Sequence, residues 1–285
     1  MSRDVVLLTT LLVLGGAGTW LLSWVPARRG DAESRLVSGR RLERRSWRDL
    51  WFPMLPAAVV LATMCGWALQ EPSVTDEPLG GAAVLVALPF ALLWLRCVWR
   101  AGLALRRPRS MPALATHGLL RPRIAIAEHL ESALDPAALA AALAHEEAHV
   151  RHFDPLRIWL AQIVTDMQWP SPTARRRLEQ WLSALELARD EEARVEGTPG
   201  EDLAAAVVAV AKMAPSRMGA HAVASLTGAE ASLASRIHRL LDPVPPDQRR
   251  LSLIPLAVIA SLVVGIVVGV EFGDSLLRAL PFIAT

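Results

Sequence analysis

Apolar residues along this chain fall into two kinds of pattern: long unbroken runs towards both ends, and shorter, helix-spaced or alternating groups between them. A helix needs roughly 20 predominantly apolar residues to cross a hydrocarbon core of about 30 Å, and four runs meet that length. They cover about 5–25, 51–70, 82–103 and 251–270. The first carries no charge between Val5 and Val25. The third holds Arg96 and Arg100, but near one end, where a long arginine side chain can snorkel to the interface.

The middle of the chain is written in helical grammar. "LDPAALAAALAHEEAHVRHF" offers Asp135 as N-cap and Pro136 as first helical residue, and Asp154-Pro155 breaks the pattern. "SPTARRRLEQWLSALELARDEEARVEG" repeats the arrangement, with Ser171 as cap, Pro172 as start and Gly197 as stop. A third helix is expected from Thr198-Pro199 to about Ala214-Pro215, and a fourth over roughly 229–241. Ahead of them, "RPRIAIAEHL" alternates like a short strand centred on Ile124 and Ile126. "LRIWLAQIVTDMQW", 156–169, is too short and interrupted for a further span; it is expected as a core helix, with a membrane-surface position as the alternative. The predicted fold is therefore mainly α: a polytopic membrane protein with four transmembrane helices and a helical domain containing a short β element.

Composition supports the membrane assignment, since 53% of the 285 residues are hydrophobic and the mean hydropathy is +0.33, more apolar than ordinary soluble domains. Charge then orients the spans. The loop 27–50 holds eight arginines from Arg28 to Arg48, whereas 71–81 holds Glu71, Asp76 and Glu77 and no base. Positive residues stay on the cytoplasmic side, so 27–50 is expected inside and 71–81 outside. Alternation places both termini outside and 106–250 in the cytoplasm, in agreement with Arg106, Arg107 and Arg109 at one end of that segment and Arg249 and Arg250 at the other. The expected units are 1–105 with three spans, 106–250 as a cytoplasmic domain of about 145 residues, enough for its own core, then 251–270 as fourth span and 271–285 as external tail. A cleavable signal peptide is set aside because the arginines follow the first apolar run rather than precede it. Cys65 and Cys97 fall in or beside spans two and three and read as small buried hydrophobes, not as a disulfide framework.

Candidate chemistry lies at residues 145–149, "HEEAH". Residues four apart share a helix face, so His145 and His149 can aim at one tetrahedral zinc, while Glu146 can reach water beside the metal without coordinating it. By chance an HExxH arises in roughly one such chain in a hundred, and a solvated charged helix face is the alternative. Two features favour zinc. The helix is alanine-rich and buried in character, where His and Glu need partners. The next predicted helix also carries "ELARD", placing Glu186 and Asp190 four apart; Glu186 would complete the zinc site and Asp190 would accept the N–H of a ligand imidazole.

HExxH followed by ExxxD on the next helix is the pattern of gluzincin peptidases. The wider text, "GLLRPRIAIAEHLESALDPAALAAALAHEEAHVRHFDPLR", "WP", "ELARDEEA" and "SRIHRLLDP", resembles the BlaR/MecR-type membrane metallopeptidases over about 106–242. The resemblance implies His145, His149 and Glu186 as zinc ligands, Glu146 as general base, Asp190 as partner of His145, and a transcriptional repressor as protein substrate. Glu147 and Arg189 depart from the family's usual residues at non-ligand positions, and the 15 residues of the tail are too few for a penicillin-binding sensor domain. Asp154 is read as a capping residue before Pro155. His152 is read as solvated. His117 and His129 flank the strand without a role, and His221, His238 and Arg236 are candidates by type to stabilise a transition-state oxyanion, with surface or helix-end roles favoured for each. An extended substrate could pair with the edge of "RIAIA".

The leading expectation is thus a membrane zinc endopeptidase of the cytoplasmic face. The alternatives are a quality-control peptidase of the HtpX or CAAX-protease type, and a zinc-binding signalling scaffold without activity. Of the 30 basic residues all but Lys212 are arginine, but they cluster at membrane ends rather than along one helix of the insert, so direct nucleic-acid binding is discounted.

Overall fold

The structure, a computed structural model, describes residues 3–26, 37–69, 81–106, 114–127, 130, 134–213, 233–244 and 254–278. The elements in order are α1 (Arg3–Ser23), α2 (Gly39–Trp51), a 3-10 turn (Phe52–Met54) leading into α3 (Leu55–Ala68), α4 (Gly81–Arg106), β1 (Leu114–His117), β2 (Arg123–Ile126), α5 (Pro136–Arg151), α6 (Asp154–Met167), α7 (Pro172–Val195), α8 (Gly200–Met213), a short helix over 233–241 termed α9, and α10 (Ile254–Arg278). The fold is mainly helical, with a two-stranded sheet among the described residues.

The apolar helices gather at one side. α3 packs along α10 and α1, and α1 also meets α4. The α3–α10 contact is close because side chains are missing from it. A Cβ added to Gly269 would stand 2.2 Å from the Thr63 carbonyl oxygen, and one on Gly66 would stand 2.4 Å from that of Ile266. Small residues four apart, Gly265 and Gly269, let helix backbones approach where no hydrophobic effect drives them together. Leu14, Leu61, Leu85, Leu95 and Trp99 point outward, uncovered by protein. Two helical stretches, Gly39–Ala68 and Val84–Leu105, are long and apolar enough to cross a membrane, and Leu8–Ser23 and Ala257–Glu271 are shorter apolar helices. Together they support a membrane-associated protein. α10 continues to Arg278, so part of the expected tail 271–285 is helical.

The second half of loop 27–50 is not a loop. Gly39, Glu43, Trp47 and Leu50 recur along one face of α2, and that face lies on α7. Trp47, Leu50 and Trp51 meet Trp181 and Leu185 of α7 and Ala161 and Val164 of α6 in one cluster. Arg157 stacks over Trp47 and Trp181 at 4.9 and 5.6 Å and pairs with Glu43. Gly39 is required by proximity, since a Cβ there would be 2.7 Å from the Leu187 carbonyl. Counting arginines for topology concealed this amphipathic period.

The remaining core is built on small side chains. Ala141 of α5, Ala193 of α7, and Leu203 and Ala204 of α8 form a buried cluster with Leu240 of α9, and Ala138 and Ala142 meet Leu114, Leu130 and Ala206 in another. Alanine at these positions lets α5 approach its neighbours closely. The expected strand appears as β2, paired antiparallel with β1 so that Thr116 faces Ile124; β1 was not anticipated. Residues 156–167 fall in α6, the expected core helix, with Gln168 and Trp169 just beyond its end. Its Ala161 and Val164 are buried, while its end meets α4. There Arg100 Nε lies 2.8 Å from Asp166 Oδ2, and Arg96 lies 3.4 Å from Asp166 Oδ1 and stacks on Trp169. These two arginines are therefore paired within the protein. Cys97 is buried as expected, but Cys65 is exposed, because its side of α3 faces away from α1 and α10.

Candidate metal centre

α5 starts as its sequence predicts: the Asp135 carboxylate accepts from Ala138 N at 2.8 Å, with Pro136 at the first helical position. Three turns later His145 and His149 occupy one face, both 8% exposed. Their Nε2 atoms are 3.1 Å apart. Glu186, on α7, brings Oε2 to 3.4 Å from His145 Nε2 and Oε1 to 3.6 Å from His149 Nε2. A tetrahedral ion with bonds of about 2.0–2.1 Å sets its ligand atoms about 3.3 Å apart. All three separations lie close to that edge, and this trio is the group of metal-binding side chains found among the described residues.

The opposite ring atoms explain why the two Nε2 atoms turn towards each other. His149 Nδ1 is 2.8 Å from Asp154 Oδ2. His145 Nδ1 is 2.9 Å from Asp190 Oδ1. With both Nδ1 atoms carrying their proton towards carboxylates, two lone pairs face each other at 3.1 Å. A shared proton or a cation satisfies them, and the donor set of two imidazoles and a carboxylate suits zinc. Burial alone would depress the His145 pKa, but Asp190 and Glu186 overcome it and hold it up at about 9. Against burial that would raise them, His145 and Arg236 hold the carboxyls of Glu186 and Asp190 below the usual range.

Glu146 points to the neighbouring face, where the Thr116 hydroxyl donates to its Oε2 at 2.7 Å. β1 is therefore the strand beside this carboxylate, and "RIAI" in β2 lies one strand further on. Thr116 was missed because a threonine in a four-residue strand carries no spacing signal.

Two other residues emerge differently from their sequence reading. Asp154 is not a surface cap. It is 1% exposed and accepts from Arg189 Nε at 2.5 Å and Nη2 at 3.0 Å while facing His149. Phe153, at φ 52°, turns the chain so that Asp154 comes back onto the histidine five residues before it. His149 and Arg189 hold the Asp154 carboxyl well below the ordinary carboxylate range, although burial opposes this. Arg236 is not a surface residue either: it forks onto Asp190 with Nε–Oδ2 2.6 Å and Nη2–Oδ1 2.8 Å. His238 is exposed, and His129 and His221 lie outside the described residues. His152 is half-exposed but paired with Glu192 at 2.9 Å. Ser171 precedes α7 as predicted, but its hydroxyl bonds the Ser23 carbonyl at 2.8 Å rather than capping the helix.

The fold and site define a class at this point: His145-Glu146-x-x-His149 with Glu186-x-x-x-Asp190 is, in space, the HExxH and ExxxD motif of zinc peptidases, consistent with the gluzincin group. No family model, curated protein or solved structure matches the chain.

Proposed function

We propose that this protein is a multi-pass membrane zinc endopeptidase whose active site faces the cytoplasm and which cleaves a regulatory or membrane-proximal protein. The observation that carries the proposal is the convergence of His145 Nε2 and His149 Nε2, 3.1 Å apart, on the Glu186 carboxylate, whose Oε2 lies 3.4 Å from the first and Oε1 3.6 Å from the second. The four long apolar runs support four spans, and the arginine asymmetry of the loops supports an orientation with both termini outside. The likeness of residues 106–242 to BlaR/MecR-type peptidases supports a transcriptional repressor as substrate.

In this proposal His145, His149 and Glu186 hold the ion, with Asp190 behind the first imidazole and Asp154 behind the second, each fixing a tautomer and a ring orientation. Bound zinc supplies Lewis acidity, making water acidic near neutral pH and polarising an amide carbonyl. Glu146 accepts the proton of the attacking water and passes it to the leaving amine nitrogen as the C–N bond breaks. Thr116 orients the Glu146 carboxylate for that transfer. An extended peptide added to a free edge of the β1–β2 hairpin would lie beside this base, bound through main-chain hydrogen bonds. A structural zinc site would be closed by a fourth protein ligand and would have no use for Glu146.

The test is purified full-length protein in detergent, compared with Glu146→Gln for zinc content and cleavage of a peptide pool. The variant should retain its zinc and lose cleavage by at least roughly a hundredfold, the usual scale for a general base. Equal cleavage by both proteins would refute the proposal.

A further inference from the structure

We infer that Arg236 is a positioning residue of the metal centre, fixing Glu186 relative to the histidine pair; this rests on the zinc site proposed above. Besides its fork onto Asp190, the guanidinium places Nη1 3.0 Å from Glu186 Oε2 and Nη2 3.4 Å from His145 Nε2. One planar cation thus ties the carboxylate behind His145 to the carboxylate in front of it. A lysine ammonium, a point charge on a flexible stem, cannot hold both at once in a defined geometry.

Glu186 needs such a tie. Its side chain is 41% exposed, against 4% for Asp190, so packing alone leaves its rotamers free. Asp190 is immobilised by burial, and Arg236 transmits that order to Glu186. The arginine itself is anchored independently, because Leu240 on the same short helix is buried in the cluster with Ala141, Ala193 and Leu203. Arg239, one turn on, grips a neighbouring face of α7 through Glu191 Oε1 at 3.0 Å and also donates to the Val37 carbonyl at 2.8 Å. Arg236 and Arg239 thus both tie α9 to α7, but Arg236 reaches Glu186 and His145 whereas Arg239 pairs with Glu191.

That pair of arginines separates positioning from helix docking. Full-length Arg236→Met, Arg236→Lys and Arg239→Met, purified in detergent, are compared with wild type by chelator competition for Zn2+ and by visible absorption after Co2+ loading. Arg236→Met should bind zinc roughly 10–100-fold more weakly, as loss of a group supporting a metal ligand does, and should shift the cobalt bands because Glu186 changes position. Arg236→Lys, which keeps the charge and safeguards folding, should fall between. Arg239→Met should keep both the affinity and the spectrum. Wild-type affinity and bands in either Arg236 variant would overturn the inference, as would an equal loss in Arg239→Met, which would mark a docking effect. A wild-type protein that binds neither ion would sink the zinc site itself, a result distinct from wild type and variants binding alike.

Discussion

Removing Asp154 should damage stability and metal binding by separable routes. The carboxylate is 1% exposed and is shared by His149, Arg189 and Arg157. In Asp154→Ala, Arg157 retains Glu43 and its stacking on tryptophan. Arg189 does not fare as well: its side chain is 4% exposed and keeps only Glu192 at 3.2 Å. Stranding one member of a buried pair costs about 3–5 kcal/mol. Arg189→Met should cost less, about 1–3 kcal/mol, because Asp154 keeps Arg157 at 3.0 Å and His149 at 2.8 Å. The double variant strands neither, so its loss should fall to about 1–2 kcal/mol, from the small cavity and one lost hydrogen bond. Zinc affinity should behave otherwise, dropping roughly 10–100-fold whenever Asp154 is absent, because His149 loses the group that orients it. Urea unfolding of metal-stripped protein, followed by tryptophan fluorescence to which buried Trp181 contributes, reads the first effect, and chelator competition reads the second. Single losses that add in the double variant, or zinc affinity restored by the second substitution, would refute this account of the network. The stability conferred by Asp154 is present above its ordinary pKa of 3.8 and fades as pH falls through the lowered native value, so variant and wild type should converge on acidification.

Two further outcomes follow from the same geometry. His145, raised from 6.5 to about 9, should contribute about 3 kcal/mol to metal-stripped protein below pH 6.5, a contribution lost as pH rises through 9. The same proton competes with zinc, so affinity should weaken by about tenfold per pH unit below 9, and an affinity that is flat with pH by competition titration would contradict it. Thr116→Val removes the hydroxyl that orients Glu146. It should lower kcat by roughly tenfold with zinc content unchanged, and an unaltered kcat would remove Thr116 from the site.

How much of this was legible in the sequence depended on whether a feature is local. Asp135-Pro136 and Gly197 bound their helices as written because capping and stopping act over one turn. His145 with His149, and Glu186 with Asp190, were found because a spacing of four on a helix is itself a spatial statement. Asp154 and Arg236 were misread for the opposite reason. Each was assigned by its nearest neighbours, Pro155 in one case and a helix end in the other, whereas its partner lies on another helix: Arg189 for Asp154 and Asp190 for Arg236. α2 was misread through the use made of its residues. Arginines counted as a topology signal outnumbered the four positions whose period shows the buried face.

The helix carrying Glu186 is also the place where the apolar helices meet the site. At its start Arg177, 4% exposed, donates to the carbonyls of Leu22, Ser23 and Val25 at the end of α1, with Ser171 and Thr173 adding bonds to Ser23. A helix end leaves its last carbonyls without their i+4 partners; Leu22 also accepts from the Val25 N–H at 3.2 Å, and the arginine supplies donors to Ser23 and Val25 that offset a buried polar cost. Along its middle, Trp181 is enclosed by α2, which runs through one 3-10 turn into α3. Near its end Glu191 accepts from the Gly39 N–H at 2.5 Å, while Arg236 and Arg239 hold it from the segment that precedes α10. Glu186 and Asp190 lie between these attachments. A rigid helix of 24 residues cannot shift at one clamp without moving the side chains between clamps by a comparable distance, and a ligand displaced by about 0.5 Å has left its productive geometry. The candidate metal centre and the packing of the apolar helices are therefore one mechanical unit, with α7 as the member they share.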